Sequence, residues 1–214
     1  FDGDADRMFA VDENGAPVAS SVIGAVVADR LLRRHPGETV LHNLICSRTV
    51  PETIEAAGGT PVRTRVGHSF IKEVMAETGA IFAVEHSGHY YFRENFRADS
   101  GLIAAMFLLE AICEAGEPLS AVVAPHDRYP ASGEINFRVR DQAAATAAVA
   151  RAFADADIDE LDGLTVRLDD GWFNLRASNT EPLLRLNVEG DTRTSMERIR
   201  DQVAATVQAG DGDS

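Results

Sequence analysis

The sequence of 214 residues has little cysteine and a shortage of basic charge. Its two cysteines, Cys46 and Cys113, stand in apolar surroundings, LHNLICS and LLEAICEAG. We therefore expect two buried free thiols and neither a disulfide framework nor a thiolate metal site. Lysine and arginine number 20 against 34 aspartates and glutamates, and the net charge of −14 disfavours nucleic acid as a partner.

Long hydrophobic runs are also absent. No stretch approaches the ~20 apolar residues that a membrane-spanning helix requires, and the start has neither the basic segment nor the apolar run of a signal peptide. The sequence thus predicts no membrane partner and a cytoplasmic location. With 45% hydrophobic and 25% charged residues, the composition is that of a globular protein with room for one large or two modest domains.

The first half alternates between short apolar strands and helices, which is typical of a parallel or mixed α/β layer. The helices are expected at 20–34, from Pro51 to Gly58, at 69–78 and at 99–114, and the strands at 39–46, 61–66 and 80–84. The last of these helices is so apolar that we expect it to be buried and to cover the sheet.

A segment with two prolines and no periodicity, APHDRYP at 124–130, indicates a domain boundary. After it the pattern predicts strands and helices of a different arrangement: strands at 134–140, 164–168, 172–176 and 183–188, and helices at 142–155 and 195–207. The predicted fold class is α/β, a three-layer mixed α/β domain followed by a small α+β domain with an antiparallel sheet.

The opening residues, FDGDADR, form the first cluster that suggests chemistry. Asp2, Asp4 and Asp6 alternate with small residues, so that their carboxylates can converge on Mg²⁺ or Ca²⁺. An EF-hand is excluded because Arg7 occupies the position where that loop requires glycine. Three solvated aspartates in an acidic protein are the alternative interpretation.

A second cluster, EHSGH, follows an apolar strand. Glu85, Ser87 and His89 offer a carboxylate, a hydroxyl and an imidazole to a polyhydroxylated substrate. A zinc site at His86 and His89 is the alternative interpretation, but no third ligand with matching spacing is present. His68 of RVGH stands at another strand end and is a candidate general acid or base, or else a structural histidine.

The third cluster is RASNTEP, between two predicted strands. Arg176, Ser178, Asn179 and Thr180 provide a guanidinium, two hydroxyls and an amide, which together suit a phosphate dianion. An ordinary polar turn is the alternative. Taken together, the three clusters suggest a divalent metal, a sugar-like substrate and a phosphate.

DGDADR, VGH, EHSGH and RASNTEP, in this order across the whole chain, resemble the motifs of the α-D-phosphohexomutase superfamily, in particular its bacterial phosphomannomutase/phosphoglucomutase branch. The resemblance implies an isomerase that interconverts hexose 1-phosphate and hexose 6-phosphate of mannose, glucose or both. In this family the reaction passes through a phosphoserine and a bisphosphate intermediate.

The resemblance also implies a role for each motif residue. Asp2, Asp4 and Asp6 correspond to the Mg²⁺ ligands, Arg7, His68 and His89 to catalytic residues, Glu85 and Ser87 to sugar ligands, and Arg176, Ser178, Asn179 and Thr180 to phosphate ligands. His86 departs from the commoner methionine. Asn179 favours hexose over glucosamine phosphates, with phosphoglucosamine mutase as the rival within the superfamily.

By the same resemblance, residues 1–16 would end the metal-binding second domain, 17–125 would form the sugar-binding third domain, 126–209 the phosphate-binding fourth domain, and 210–214 a tail. No signature of the catalytic serine occurs in the sequence. We therefore expect a C-terminal half that is inactive without the missing N-terminal half of the same chain. A sugar-phosphate binding module without catalysis is the alternative.

Overall fold

The computed structural model describes residues 1–178, 181 and 183–212, with side chains as far as residue 210. The chain forms two compact units, one comprising Phe1–Arg128 and the other beginning at Tyr129.

The first unit contains a short hairpin, a five-stranded sheet, five α-helices and a short 3₁₀ helix at Arg93–Asn95. The strands are β1 Ala10–Val11, β2 Pro17–Val18, β3 Thr39–Asn43, β4 Thr60–Thr64, β5 Phe82–Val84, β6 Tyr90–Phe92 and β7 Ala98–Asp99. The helices are α1 Ser20–Arg34, α2 Thr49–Ala56, α3 His68–Thr78, α4 Gly101–Ala115 and α5 Leu119–Val123. The sheet order is β4-β3-β5-β6-β7; β3 runs parallel to β4 and β5, whereas the pairs β5–β6 and β6–β7 are antiparallel.

Helices cover both faces of this sheet. Successive strand residues point to opposite faces, so neighbouring residues pack against different helices. Val40 of β3 and Tyr90 of β6 belong to the core formed with α1 and α4, whereas their neighbours Leu41 and Tyr91 pack with residues of α3. The predicted three-layer mixed α/β domain is confirmed.

Helix α4 differs from its prediction as a buried helix. Ala104, Leu108 and Ala111 face the core, but Leu102, Met106 and Leu109 are 64%, 60% and 54% exposed. The sheet covers only one side of the helix, and a uniformly apolar sequence does not reveal which side that is. None of the helices within the described ranges is both long and apolar enough to cross a membrane.

The two cysteines also differ from expectation. Cys46 is buried, but Cys113 of α4 is exposed, although both are free thiols. The prediction that both would be buried is therefore wrong for Cys113. Its sequence neighbours misled the prediction because apolar residues of α4 occupy both sides of the helix, and Cys113, four residues after the exposed Leu109, lies on the exposed side.

The second unit is an antiparallel sheet with two helices. Its elements are β8 Ala131–Phe137, α6 Gln142–Ala152, β9 Asp157–Asp159, β10 Leu164–Leu168, β11 Gly171–Ala177, β12 Leu184–Gly190 and α7 Arg193–Gly212. The sheet order is β8-β12-β11-β10-β9, and all neighbouring strands are antiparallel. Val149 of α6 and Val203 of α7 join Phe173 and Leu186 of the sheet in one core. The predicted α+β domain with an antiparallel sheet is confirmed.

Helix α7 extends further than its pattern predicts. It continues through Gly210 to Gly212, into the stretch that we expected to be a tail. Gly210 lies against α6, where a Cβ atom would come within 3.0 Å of the Ala148 side chain. The absence of a side chain permits this close approach, and packing against α6 sustains helix in a sequence with poor intrinsic propensity.

Candidate functional site

The acidic opening segment forms a compact loop. One carboxylate oxygen from each of Asp2, Asp4 and Asp6 lies within 4.8 Å of those of the other two. Ala5 adopts a φ of +63° between them, and its N–H donates to the Asp2 carbonyl at 3.3 Å, which turns the chain. Three converging carboxylates are the hard oxygen ligands that Mg²⁺ prefers.

The charges in this loop are only partly compensated. The Arg7 side chain donates to Asp2, and this hydrogen bond lowers the Asp2 pKa. Burial raises the Asp6 pKa, with His89 opposing the rise and the Asp4 charge adding to it. Asp6 Oδ1 is buried and finds no hydrogen-bond donor within the described part of the chain. A bound cation at this oxygen would fit the donor set.

The EHSGH segment forms a tight turn after β5. The Glu85 N–H donates to the His89 carbonyl at 3.0 Å, and the Gly88 N–H donates to the Glu85 carbonyl at 3.1 Å. Gly88 has a φ of +93°, and a Cβ atom there would lie 3.0 Å from the Phe9 ring, so glycine suits this position. The Met8 N–H donates to the Gly88 carbonyl at 3.2 Å, which fixes the chain just after the acidic loop to this turn.

His89 lies between the acidic loop and a second carboxylate. Its Nδ1 is 2.8 Å from Asp99 Oδ2 and 3.8 Å from Asp6 Oδ2. The Lys72 ammonium lies 3.7 Å from the other Asp99 oxygen. Asp99 and Lys72 were not predicted as site residues, because each stands outside the recognisable motifs. Asp99 reaches His89, and Lys72 reaches Asp99, only through the fold.

Hydrogen bonds fix both oxygens of the Glu85 carboxylate. Glu85 is 3% exposed, and its Oε2 accepts a hydrogen bond from the Tyr91 hydroxyl at 2.7 Å. Its Oε1 accepts from the Gly67 N–H at 3.1 Å and from Asn43 Nδ2 at 3.4 Å. Ser87, in contrast, is exposed.

These groups meet because they follow three parallel strands. Asn43 ends β3, Gly67 follows β4, and Glu85 follows β5, so all three stand at the carboxyl edge of the sheet, where α/β proteins bind ligands. His68 begins α3 directly after Gly67 and is exposed. The structure therefore brings the predicted residues of the first unit to one edge of its sheet.

The second unit presents a separate, basic cluster. Arg176 of β11 is only 7% exposed, and its Nε finds no partner among the residues described. Directly opposite it on β12 lies Arg185. The Arg185 guanidinium lies 3.6 Å from Glu134 and 3.5 Å from Glu181. These two carboxylates offset the Arg185 charge, whereas an anion at Arg176 would supply the partner that its Nε lacks among the described residues.

The RASNTEP segment carries Arg176 at the end of β11. The Ser178 N–H donates to the Leu183 carbonyl at 2.8 Å, which closes the connection to β12. Asn179 and Thr180, both predicted phosphate ligands, lie outside the described residues. Arg185 was missed because its relation to Arg176 depends on strand register, which the spacing of nine residues does not disclose.

Family comparison agrees with this architecture. Residues 19–129 match the family described as phosphoglucomutase/phosphomannomutase, alpha/beta/alpha domain III, and residues 134–206 match its C-terminal domain. The chain therefore belongs to the phosphoglucomutase/phosphomannomutase family, within the α-D-phosphohexomutase superfamily.

Individual relatives are similar over nearly the whole chain. A phosphomannomutase of Methanocaldococcus jannaschii is 42% identical over 203 residues, which are 95% of this chain and 45% of the relative. The crystal structure of a phosphoglucomutase/phosphomannomutase family protein of Burkholderia thailandensis superposes with a TM-score of 0.85 at 29% identity, covering 98% of this chain and 46% of that one.

A more distant structure shares the fold. The N-acetylphosphoglucosamine mutase of Aspergillus fumigatus, solved with GlcNAc-6P and magnesium, has a TM-score of 0.72 at 17% identity, covering 99% of this chain and 48% of that one. The chain thus spans about half the length of the relatives it matches.

Proposed function

We propose that this chain provides the metal, sugar and phosphate sites of a phosphohexomutase. The reaction would interconvert the 1-phosphate and 6-phosphate of mannose, glucose or both, through a phosphoserine and a hexose bisphosphate. The observation that carries the proposal is the docking of the acidic loop onto the EHSGH turn, through the Met8–Gly88 hydrogen bond and the approach of Asp6 to His89. Ligands for a cation and ligands for sugar hydroxyls thereby adjoin.

The proposal extends to the organisation of the longer protein. Residues 1–16 would complete a metal-binding domain, 17–125 would bind the sugar and 126–209 would bind phosphate. Because the chain spans about 45% of its relatives, we propose that an N-terminal half supplies the phosphoserine. The 214 residues alone would then bind hexose phosphates without turning them over.

Mg²⁺ is the proposed metal, and Asp2, Asp4 and Asp6 would hold it. Their convergence supports this assignment, as does the buried Asp6 Oδ1, which lacks a hydrogen-bond partner among the described residues. The distant Aspergillus mutase was itself solved with magnesium. When bound, the ion would offset negative charge on a transferring phosphoryl group.

The protein's own groups would handle protons and charge. His89 directs Nδ1 at Asp99, so this nitrogen carries the proton and Nε2 is left to exchange a proton with a sugar hydroxyl. His68 is a second candidate for proton transfer, and the Arg7 guanidinium would stabilise phosphoryl charge. Glu85 and Ser87 would contact the sugar hydroxyls.

In the second unit, Arg176 would bind the phosphate that is not reacting. A guanidinium whose Nε–H has no partner in the described part of the chain is suited to bidentate hydrogen bonding of phosphate. Arg185 lies opposite it and would add a second guanidinium. Ser178, Asn179 and Thr180 complete the proposed set.

The proposal is tested with the longer polypeptide in a coupled assay. Mannose 1-phosphate and glucose 1-phosphate are supplied with Mg²⁺, and the 6-phosphates are measured by a dehydrogenase. We expect turnover, and His89→Asn should lower kcat by about 100-fold or more, as for the loss of a general acid or base. His35→Asn removes an exposed histidine at the end of α1 and should retain full activity. Absence of turnover by the wild type would disprove the proposal.

A further inference from the structure

Tyr91 is the middle residue of β6, and its hydroxyl reaches the candidate site. It lies on β6 between β5 and β7, opposite Ala83 and Asp99. The residue is 0% exposed and packs beneath α3 with Ile71 and Met75. A buried phenol costs free energy unless its hydroxyl is hydrogen-bonded, and here it donates to Glu85 Oε2 at 2.7 Å.

The proton of this hydrogen bond belongs to the phenol. Burial raises the Tyr91 pKa well above its usual value, and the Glu85 charge raises it further. Tyr91 therefore stays neutral near physiological pH and acts toward Glu85 as a donor. A charge-assisted hydrogen bond of this kind is about twice as strong as a neutral one.

The carboxylate that Tyr91 holds also joins two loops. Its other oxygen, Oε1, accepts from the Gly67 N–H at 3.1 Å. Gly67 has a φ of +129°, immediately before the exposed His68. Glu85 itself begins the turn that presents Ser87 and His89. A rotation of the Glu85 carboxylate would thus break the link between the two loops that carry the proposed sugar and proton-transfer groups.

We propose that Tyr91 is a positioning residue of the hexose site: its hydroxyl fixes the Glu85 carboxylate, and through Glu85 it fixes the Gly67–His68 loop relative to the EHSGH turn. This inference rests on the proposed function for its consequence, although the hydrogen-bonded arrangement itself does not. Tyr91 is fully buried and would not itself touch the substrate. It determines which orientation Glu85 presents to sugar hydroxyls.

Strand β6 offers a matched control. Tyr90 precedes Tyr91, is equally buried and points to the opposite face of the sheet. Its hydroxyl donates to the Met8 and Ser20 carbonyls at 3.4 and 3.3 Å and does not contact Glu85. Tyr91→Phe and Tyr90→Phe therefore remove the same atom from adjacent residues of one strand.

The first readout is spectroscopic and uses the 214-residue chain. In Tyr91→Phe we expect the Gly67 amide resonance to move and its hydrogen exchange to accelerate about tenfold, because the carboxylate that protects it is no longer fixed. Tyr90→Phe should leave both unchanged. A slowly exchanging Tyr91 hydroxyl proton in the wild-type spectrum checks the same bond without a variant. An unchanged Gly67 amide in a folded Tyr91→Phe variant would overturn the inference.

The second readout separates positioning from general destabilisation and uses the longer enzyme. With glucose 1-phosphate, Tyr91→Phe should lower kcat/KM about tenfold, a typical effect of one charge-assisted hydrogen bond. The 2-deoxy, 3-deoxy and 4-deoxy analogues each remove one sugar hydroxyl. The loss of kcat/KM in Tyr91→Phe should largely disappear for the analogue that lacks the sugar hydroxyl bound by Glu85. Removing the Tyr91 hydroxyl and removing that sugar hydroxyl then affect the same interaction.

An equal loss with all four substrates would overturn the positioning role. Complete absence of wild-type turnover would refute the proposed function instead, and the Gly67 readout would still decide whether Tyr91 fixes the Glu85 carboxylate.

Discussion

The two units of this chain place opposite charges at their candidate sites. The first unit gathers carboxylates, Asp2, Asp4 and Asp6, beside imidazole and hydroxyl groups at the carboxyl edge of a mixed sheet. The second unit pairs two arginines across an antiparallel ladder. In a protein with a net charge of −14, the two arginines are a local concentration of positive charge, partly offset by Glu134 and Glu181.

The units also differ in their titratable residues and natural reporters. All six histidines lie before residue 129, so the second unit has none. The single tryptophan, Trp172, lies in the second unit, and the buried Cys46 lies in the first. Trp172 fluorescence and Cys46 thiol labelling in a Cys113→Ser background can therefore follow the two units independently.

In the second unit, the largest effect on stability is expected from Gly163→Ala. Gly163 has a φ of +71°, and its added Cβ would lie 2.5 Å from the Arg176 Cβ and 2.7 Å from the Leu175 carbonyl. We expect a loss of about 3 kcal/mol in unfolding free energy, from the sum of backbone strain and overlap. Denaturant unfolding followed by Trp172 fluorescence measures it.

Gly133→Ala is the matched control for that substitution. Gly133 also has a positive φ, +68°, but nothing lies within 4 Å of its added Cβ. Its cost should be about 1 kcal/mol, from backbone strain alone. Equal costs at the two glycines would contradict the close packing behind Arg176.

The next effect tests the basic site directly. Arg176→Met should weaken binding of inorganic phosphate about 100-fold, because a charge-assisted bidentate contact is lost. Arg167→Met removes the same charge from an exposed arginine of the same unit, which pairs with Asp157 and Asp159. Calorimetry should show little change in phosphate affinity for Arg167→Met. A similar loss of affinity in both variants would mean that phosphate binds through nonspecific charge.

A third effect depends on pH and is confined to the first unit. Burial lowers the His42 pKa from 6.5 to about 4. Below pH 6.5, His42 binds a proton in the unfolded chain, whereas the buried His42 of the folded chain stays neutral until the pH nears 4. The contribution of His42 to the free energy of unfolding is therefore fully present above pH 6.5 and is lost as the pH falls toward 4. Between pH 7 and pH 4.5, His42 should cost the first unit about 2 kcal/mol.

His42→Gln isolates this contribution, because it removes the titration and keeps a polar side chain. The loss of stability on acidification, measured by Cys46 labelling, should be about 2 kcal/mol smaller in this variant than in the wild type. His35→Gln, at an exposed position, should behave as the wild type. Parallel pH curves for His42→Gln and the wild type would show that His42 is not buried in its neutral form.

The smallest effect distinguishes the two sides of α4. Leu109 is 54% exposed, and Leu109→Ala should change the unfolding free energy by less than about 0.5 kcal/mol. Leu108→Ala, at a residue that is 5% exposed, should cost about 3 kcal/mol by leaving a cavity. Comparable costs would mean that the exposed side of α4 is covered.

Much of this fold could be predicted because the local signals agree with the tertiary structure. The predicted helix at 20–34 coincides with α1 because an apolar stripe, terminal arginines and a Pro-Gly stop all indicate the same boundaries. Strands β10, β11 and β12 of the second unit lie near their predicted positions, whereas β8 begins three residues before its prediction and the three-residue β9 was not predicted. In contrast, β6 and β7 have three and two residues, too few to show a period.

The candidate site was predictable only where residues stand within a motif. Asp2, Glu85 and Arg176 could be named from sequence because their neighbours carry complementary chemistry. Asp99, Tyr91 and Arg185 could not, because each joins the site through strand pairing or through a contact across the sheet. The exposure of Cys113 likewise could not be predicted from the sequence pattern, because it depends on which side of the helix faces the sheet.

The central claim, that each unit holds a site for ligands of one charge sign, is tested most directly by a two-step titration of the ¹⁵N-labelled chain. Mg²⁺ alone should shift amides of residues 2–7 and of His89 in the first unit, and inorganic phosphate alone should shift those around Arg176 and Ser178 in the second. Phosphate shifts confined to the first unit, or Mg²⁺ shifts spread evenly over acidic surface residues of both units, would contradict it.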